Sequence, residues 1–471
     1  MVINNLMCGI AGIIHKNENK NIRKMLYEIL FNLQHRGQDS SGLITYNKIN
    51  KTCNVAKEFG LVDKNLNNLK YLTGNVGIGH VRYPTQGLVT KNEIQPFYNN
   101  INSIDGVSLS HNGNLTNYDY ILSIIKDKTK LTSSSDSELL LLLFIELVNK
   151  ELIENNKFYI NNKIIQDVVK KIYNICKGSY SVLIMINNFG LIAFRDIYGI
   201  RPFVYSINKN YIEFASETIA LKNNENYINV KNGELIIVNK YLNCNKLQIY
   251  DYPLKPCLFE YIYFARPESY INDILVYEYR EQISKKIINI IKKDKDFNNI
   301  DYVIPVPQTA LITSIRVAEK LKKPLKHAIF KNRYTHRTFI NNKKQKIVKN
   351  IKKIKIIKKY INKKKILLID DSIVRGNTSN YIINELKKNN AKEIYLFSCS
   401  PPIKHPNKYG IAIPSYKELI AYNKTIEEVR ENFNINKLSY LDLNSVCSIL
   451  RKLNNKITDF ESSVFDGNYV I

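Results

Sequence analysis

The sequence predicts two different layouts in tandem: a layered α+β unit in the first half and an α/β unit built on a parallel sheet in the second. Three observations carry this reading. The chain has 471 residues, enough for two or three domains at roughly 100 to 200 residues each. Up to about residue 240, short apolar segments broken by Gly and Asn outnumber the helical periodicities. Beyond about residue 255, helical stretches alternate with apolar strand candidates, the pattern that makes a parallel sheet.

The elements follow in order. A short apolar strand, Cys8 to Ile14, runs into an amphipathic helix whose face is Ile22, Met25, Leu26, Ile29, Leu30 and Leu33. Strands are expected at Gly77 to Arg82, Ser108 to His111, Ser181 to Ile186 and Leu191 to Arg195, with a Leu-rich helix from about Glu138. Strands plus at least two helices in one unit suggest a layered α+β domain. In the second half, helices are expected around Tyr277 to Ile291 and Ser314 to Leu321. Tyr302 to Ile304, Ile366 to Ile369 and Glu393 to Phe397 read as buried strands. The boundary is placed between residues 240 and 256, where turn formers precede an aromatic block, giving units 8–240 and 255–471, the second with a C-terminal helical segment. Residues 1–7 read as a removable leader or a misplaced start.

Composition narrows the function. The net charge is +27 with 44% hydrophobic residues, so the chain has a core and is not a disordered basic tail. An anionic partner is implied, either nucleic acid, a membrane surface or a phosphorylated small molecule, unless the Lys excess only decorates solvated faces. From Asn341 to Lys365 there are twelve Lys and no acidic residue, nearly half of the net +27. Its Ile spacing fits either a mobile basic segment or a Lys-rich surface helix. The longest strictly apolar run, Leu139 to Ile145, has seven residues, far short of the roughly 20 that span a bilayer. The N-terminus has no basic start leading into an apolar stretch, so a cytoplasmic protein is expected. The cysteines number seven, widely spaced and without a C-x-x-C pair, which suits neither a disulfide frame nor a zinc site.

Two constellations carry chemistry. In the first, Met7-Cys8-Gly9-Ile10-Ala11-Gly12 sets a thiol directly behind a Met. If Met7 leaves, Cys8 becomes N-terminal, and an α-amino group with a pKa of about 7.7 to 8 can take the thiol proton itself. Taken alone, Cys8 reads as a small buried hydrophobe. The other blocks change that: Leu33-Gln-His-Arg36-Gly-Gln-Asp-Ser-Ser-Gly42, His80-Val-Arg82-Tyr83-Pro84-Thr85, His111-Asn112-Gly113-Asn114 and Ser135-Asp136-Ser137-Glu138. Singly these are turns and caps, with Asp136 a ready N-cap. Together with Phe194-Arg195-Asp196, Gly199-Ile200-Arg201-Pro202 and Ala215-Ser216-Glu217 they resemble the class II glutamine amidotransferase family. That resemblance implies a four-layer α+β N-terminal-nucleophile domain. It makes Cys8 the nucleophile, and Asn112 with the Gly113 N–H the oxyanion donors. Arg82 and Asp136 bind the α-carboxylate and α-ammonium of glutamine, with Arg36 and Thr85 supporting.

In the second constellation, Lys365-Ile-Leu-Leu-Ile-Asp370-Asp371-Ser372-Ile-Val-Arg375-Gly376-Asn377-Thr378-Ser379 reads as a buried strand, two carboxylates, a loop and a helix. Loop and helix N–H groups suit a phosphate, and the carboxylates suit ribose hydroxyls or a divalent metal. The plain alternative is an acidic strand-to-helix turn. The whole stretch resembles the 5-phosphoribosyl 1-diphosphate (PRPP) motif of type I phosphoribosyltransferases. Pro256 to Pro267, Pro305-Val-Pro-Gln-Thr309, Lys331-Asn-Arg333 onward to Ile340, and Phe460 to Gly467 extend the resemblance to the glutamine-dependent PRPP amidotransferase family, transferases of the first committed step of purine biosynthesis. It implies PRPP held by Asp370, Asp371, Ser372, Arg375, Gly376, Asn377, Thr378 and Ser379, with Mg²⁺ near Thr309, Asp370 and Asp371. Lys331 and Arg333 fall in a closing lid, and Tyr83 lines an ammonia channel. Partners are glutamine, PRPP and purine nucleotides as feedback inhibitors, in a homo-oligomer, with no nucleic acid and no membrane.

The sequence departs from the family pattern at Gln308, His336, Asn377 and Ala412, which touches metal handling and feedback. Some members carry a four-cysteine iron–sulfur cluster; here Cys257 matches one ligand, but Asn407, Glu461 and Val464 stand at the others, so no cluster is expected. Three other readings compete. Aminosugar or asparagine synthases share the first half but lack the Asp370 to Gly376 loop. A nucleic-acid binder would want aromatics among the lysines of 341–365, where Tyr360 stands alone. A PRPP-binding protein limited to free ammonia would result if Cys8 stays covered.

Overall fold

The computed structural model describes residues 7–62, 69–83, 90–101, 105–297, 299–307, 309–331, 354–413 and 415–471. In the first half two sheets lie face to face. The seven-stranded sheet holds Gly9–His15 between Tyr211–Ala215 and Val76–Arg82, antiparallel to both. The six-stranded sheet holds Asp105–Leu115 against Gly178–Ile186. Between them Ile10, Ile14, Ile44 and Ile78 of one sheet pack on Leu183, Met185, Leu191 and Ala193 of the other. Strand side chains alternate faces, so Ala11, Ile13 and Val81 point outward, where Leu26 and Leu30 of helix Arg23–Asn32 cover them. Helices Asp136–Glu154 and Asn162–Ile175 cover the second sheet. The result is helix, sheet, sheet, helix, the four layers expected.

In the second half Tyr302–Pro305, Lys365–Asp370, Glu393–Ser398 and Lys437–Tyr440 form a sheet in that order, every pair parallel. Leu367, Ile369 and Phe397 face one core with Tyr279, Ile283 and Ile287. Ile366, Leu368 and Leu396 face the other with Ile382 and Ile383. Burial on both faces explains why these strands read as continuous apolar runs. Asp370 ends a central strand, where the helix Asn377–Lys388 begins after a short loop.

Two expectations change here. Cys244–Gln248 pairs antiparallel with Glu234–Asn239, so the first half runs on into the stretch assigned to the boundary. The part of the Lys-rich segment within the described residues is neither mobile-looking sequence nor helix: Ile354–Ile356 pairs with Ile329–Lys331, and a 3₁₀ turn follows at Lys358–Tyr360. Residues 341–353 lie outside the described residues. Among the described residues, no helix is long and apolar enough to cross a membrane.

Candidate active site

The register Gly9↔Val81 places Cys8 alongside Arg82 at the ends of two interior strands of the first sheet. Cys8 is partly exposed, and its thiol lies 3.8 Å from the Tyr83 carbonyl. Burial of the sulfur raises its pKa, an effect opposed by the charges of Arg82 and Arg36.

Asn112 and Gly113 lie within Asp105–Leu115. The Asn112 amide donates to the Ser216 hydroxyl at 3.4 Å, and the same hydroxyl accepts the Ile10 N–H at 3.0 Å. That ties the Asn112 side chain to the strand that starts at Cys8. Gly113 is required by close approach, since a Cβ there would stand 1.9 Å from the Ser179 carbonyl oxygen.

Arg82 is buried and forms a 3.1 Å ion pair through Nη2 with Glu93. Its Nη1 is buried with no hydrogen-bond partner among the described residues. A guanidinium nitrogen so placed favours an anionic partner, because leaving it dry costs about 1 to 3 kcal/mol or more. Asp136 opens helix Asp136–Glu154, but Ser135 rather than Asp136 caps it. Asp136 Oδ2 instead accepts the Leu115 N–H at 2.9 Å and stands 3.8 Å from His111 Nδ1. The sequence missed Glu93, which aims Arg82 and whose other oxygen accepts the Ser134 N–H and hydroxyl. Its only trace is an acidic residue in a turn.

Arg36, by contrast, is fully engaged within the protein. Its Nε donates to the Cys8 carbonyl at 2.9 Å, and its two terminal nitrogens are engaged by Glu217 and Glu260. With a side chain wholly shielded from solvent, it holds Cys8 from beneath. The expectation that it binds glutamine is corrected on that ground. Thr85 lies outside the described residues.

The second centre lies at the end of Lys365–Asp370. Asp370 and Asp371 are both buried. Asp370 accepts from the Asp371 N–H at 3.0 Å and the Ser379 hydroxyl at 3.3 Å, and Asp371 accepts from the Ser372 hydroxyl at 2.8 Å and from Thr309. Burial pushes the Asp371 carboxyl up to about 6. Burial and the neighbouring Asp371 push Asp370 well above the usual range. Among the described residues no ion pair neutralises either group. Two such carboxylates fit a divalent cation shared with ligand oxygens, although among the described residues no group of three or more His, Cys, Asp or Glu could hold a metal unaided.

Gly376 precedes helix Asn377–Lys388 with φ +72° and no side-chain cap on the first-turn amides. That leaves the N–H groups of Asn377, Thr378 and the buried Ser379 without a side-chain cap at a helix N-terminus, a setting that suits a phosphate. Arg375 departs from expectation: its guanidinium is paired with Glu418 and donates to the Ala412 carbonyl at 3.3 Å. It braces the loop from behind. Lys331 ends a short strand; Arg333, Gln308 and His336 lie outside the described residues.

One segment joins the two centres. Tyr409 offers its carbonyl to Ser179 at 2.9 Å and to Arg201 Nε at 2.8 Å, and the Asn114 amide donates to the Lys408 carbonyl at 2.9 Å. A Cβ on Gly410 would stand 3.0 Å from the Gly113 carbonyl oxygen. Ala412 packs on the Tyr83 ring.

Comparison with known proteins agrees with both halves. A glutamine amidotransferase domain family matches residues 80–223, and a phosphoribosyl transferase domain family matches residues 273–400. The chain is 38% identical over 477 residues to the amidophosphoribosyltransferase of Pasteurella multocida, covering 98% of this chain and 93% of that one. It is 38% identical to the Escherichia coli enzyme and 36% to that of Saccharomyces cerevisiae, each over 98% of this chain and 92% of the relative. The chain belongs to the amidophosphoribosyltransferase family. It is a pentosyltransferase with a glutamine amidotransferase half, acting at the first committed step of purine biosynthesis. A solved structure of glutamine PRPP amidotransferase from B. subtilis, complexed with ADP and GMP, superposes with a TM-score of 0.83 at 28% identity, covering 98% of this chain and 97% of that one.

In this amidophosphoribosyltransferase, the four positions that the resemblance assigns to cluster ligands hold Cys257, Asn407, Glu461 and Val464. Cys257 pairs in a bridge with Glu461, and the Asn407 side chain accepts the Tyr409 and Ile411 N–H groups at 2.8 and 2.9 Å. Val464 contributes only its carbonyl, to Lys404 and His405. One thiol at four positions cannot ligate a four-cysteine cluster.

Proposed function

We propose that Cys8, freed by removal of residues 1–7, hydrolyses glutamine, and that the ammonia displaces pyrophosphate from PRPP at the Asp370–Ser379 loop. The observation that carries this reading is the buried Arg82 Nη1, which has no hydrogen-bond partner among the described residues, together with Asp136: the charges of both residues act on the Cys8 thiol. Arg82 and Asp136 select an α-amino acid. The thiolate adds to the side-chain amide carbon, and Asn112 with the Gly113 N–H supports the oxyanion, each donor worth about 3 to 4 kcal/mol. The C–N bond breaks, the proton held by the α-amine goes to the departing ammonia, and water hydrolyses the thioester.

In the second centre the ammonia nitrogen forms a bond to the ribose C1 as the C1–O bond to pyrophosphate breaks, and a proton leaves the nitrogen. Asp370 and Asp371 orient the ribose hydroxyls. Ser372, Gly376, Asn377, Thr378 and Ser379 receive the 5′-phosphate, with Arg375 bracing their loop. Mg²⁺, when bound near Thr309 and the two Asp, neutralises pyrophosphate charge. Lys331 and Arg333 belong to the lid, and Tyr83, packed on Ala412, lines the passage between centres. Purine nucleotides act as feedback ligands on a homo-oligomer.

Cys8→Ala tests this. Glutamine-dependent pyrophosphate release should fall to background while ammonia-dependent release stays within about twofold. Intact mass should show Cys8 as the first residue. A retained leader with ammonia as the sole nitrogen source would establish the ammonia-limited alternative instead.

A further inference from the structure

Glu260 belongs to the second half, in a single π-helical turn, Glu260–Phe264, yet its carboxylate is directed at the first. Both of its oxygens meet Arg36, at 2.7 Å from Nη2 and 3.0 Å from Nη1. The remaining donor of that guanidinium fork, Nε, bonds the Cys8 carbonyl at 2.9 Å. Glu217 takes Arg36 Nη1 at 2.6 Å, and Arg201 Nη1 lies 3.7 Å from Glu260. Arg36, Glu217 and Glu260 are all shut off from solvent. A planar guanidinium gripped bidentately has one orientation, so the direction of its Nε–H, and with it the Cys8 backbone, depends on the carboxylate that grips it.

We infer that Glu260 is a positioning residue for the nucleophile, acting through Arg36, so that the glutaminase centre is complete only when the transferase half is docked against it. The inference rests on Cys8 being the nucleophile. Glu217 alone cannot do this work: it touches Nη1 only and is shared with His35, the Arg266 N–H and the Ser269 hydroxyl. The π-helical turn is consistent with such a role, because an inserted residue re-aims a side chain that regular helix would carry elsewhere.

The test uses the full chain with Glu260→Gln and, independently, Arg36→Lys, which keeps the charge but loses the fork. In both, kcat for glutamine hydrolysis should fall by roughly 10- to 100-fold, the order expected of a misplaced reacting group. KM for glutamine should stay within about twofold, since Arg82 and Asp136 are untouched. Ammonia-dependent pyrophosphate release, which reports a folded transferase half, should stay near wild type. Unchanged glutamine kcat in both variants overturns the inference. So does a parallel loss of glutamine and ammonia activities, which would mark Glu260 as a structural residue only. Cys8→Ala run alongside separates the two levels: if it leaves glutamine hydrolysis intact, the nucleophile assignment itself fails, whatever Glu260→Gln does.

Discussion

Two buried carboxylate pairs in this molecule have opposite surroundings. Glu217 and Glu260 sit between the halves with Arg36, Arg201 and His35 against them. Asp370 and Asp371 sit at a strand end with hydroxyls and one backbone N–H as partners and, among the described residues, no ion pair. Burial of a poorly compensated charge is costly: the chain itself neutralises the first pair, whereas at Asp371 the more distant Arg280 charge and hydroxyl bonds only partly oppose the effect of burial. His35 and Arg36 hold Glu217 well below the usual carboxylate range against the effect of burial. Burial holds both Asp residues above it. The first pair is matched by arginine at ion-pair distance, and among the described residues the second is not.

The largest loss is expected at Asp371. Asp371→Asn keeps the shape but removes the charge a cation needs, a contribution of several kcal/mol. PRPP turnover should drop by on the order of 10²- to 10³-fold with glutamine and with ammonia alike, measured as pyrophosphate release. Unchanged turnover would remove Asp371 from the site. Glu217→Gln attacks the other pair. It leaves Arg36 partly uncompensated, so chemical denaturation should show a loss of about 3 to 5 kcal/mol, with little change in PRPP affinity. A stability loss below about 1 kcal/mol would mean the network is worth no more than surface pairs.

The residues proposed for the two centres are more legible in the sequence than the frame between them. Cys8, Arg82, Asn112-Gly113 and the Asp370–Ser379 loop stand in short blocks, where turn geometry and chemistry share a few neighbouring letters. The parallel strands were legible because burial on both faces leaves unbroken apolar runs, as at Ile366 to Ile369. Helix Asn162–Ile175 also carries a clear face in Ile164, Ile165, Val168, Val169 and Ile172, and was passed over among flanking Asn and Lys. What the sequence could not show were pairings across long separations. Arg36 meets Glu260 across 224 positions, Arg82 meets Glu93 through a turn, and Arg375 meets Glu418. An ion pair of this kind has no period and no fixed spacing. That is why Arg36 and Arg375 were read as ligand contacts when their charges are already spent inside the protein.

The two carboxylate pairs also differ in how their contribution to stability depends on pH. Glu217 has a depressed carboxyl pKa when folded, so its contribution is present above the unfolded value of about 4.3 and is lost as pH falls below it. Asp371 has the opposite sign. Its pKa rises from 3.8 to about 6 on folding, so the protonated form stabilises the cation-free protein at low pH, and that contribution disappears as pH climbs through 6. Asp371→Asn should therefore be indistinguishable from wild type near pH 4 and more stable by about 2 to 3 kcal/mol above pH 6.5, read as thermal unfolding in chelator. Adding a divalent cation with PRPP should close that gap in the wild type and leave the variant unmoved. Since Asn cannot titrate, a gap that is flat with pH would mean that Asp371 stays ionised through this range, and its carboxylate would then belong with the matched pair.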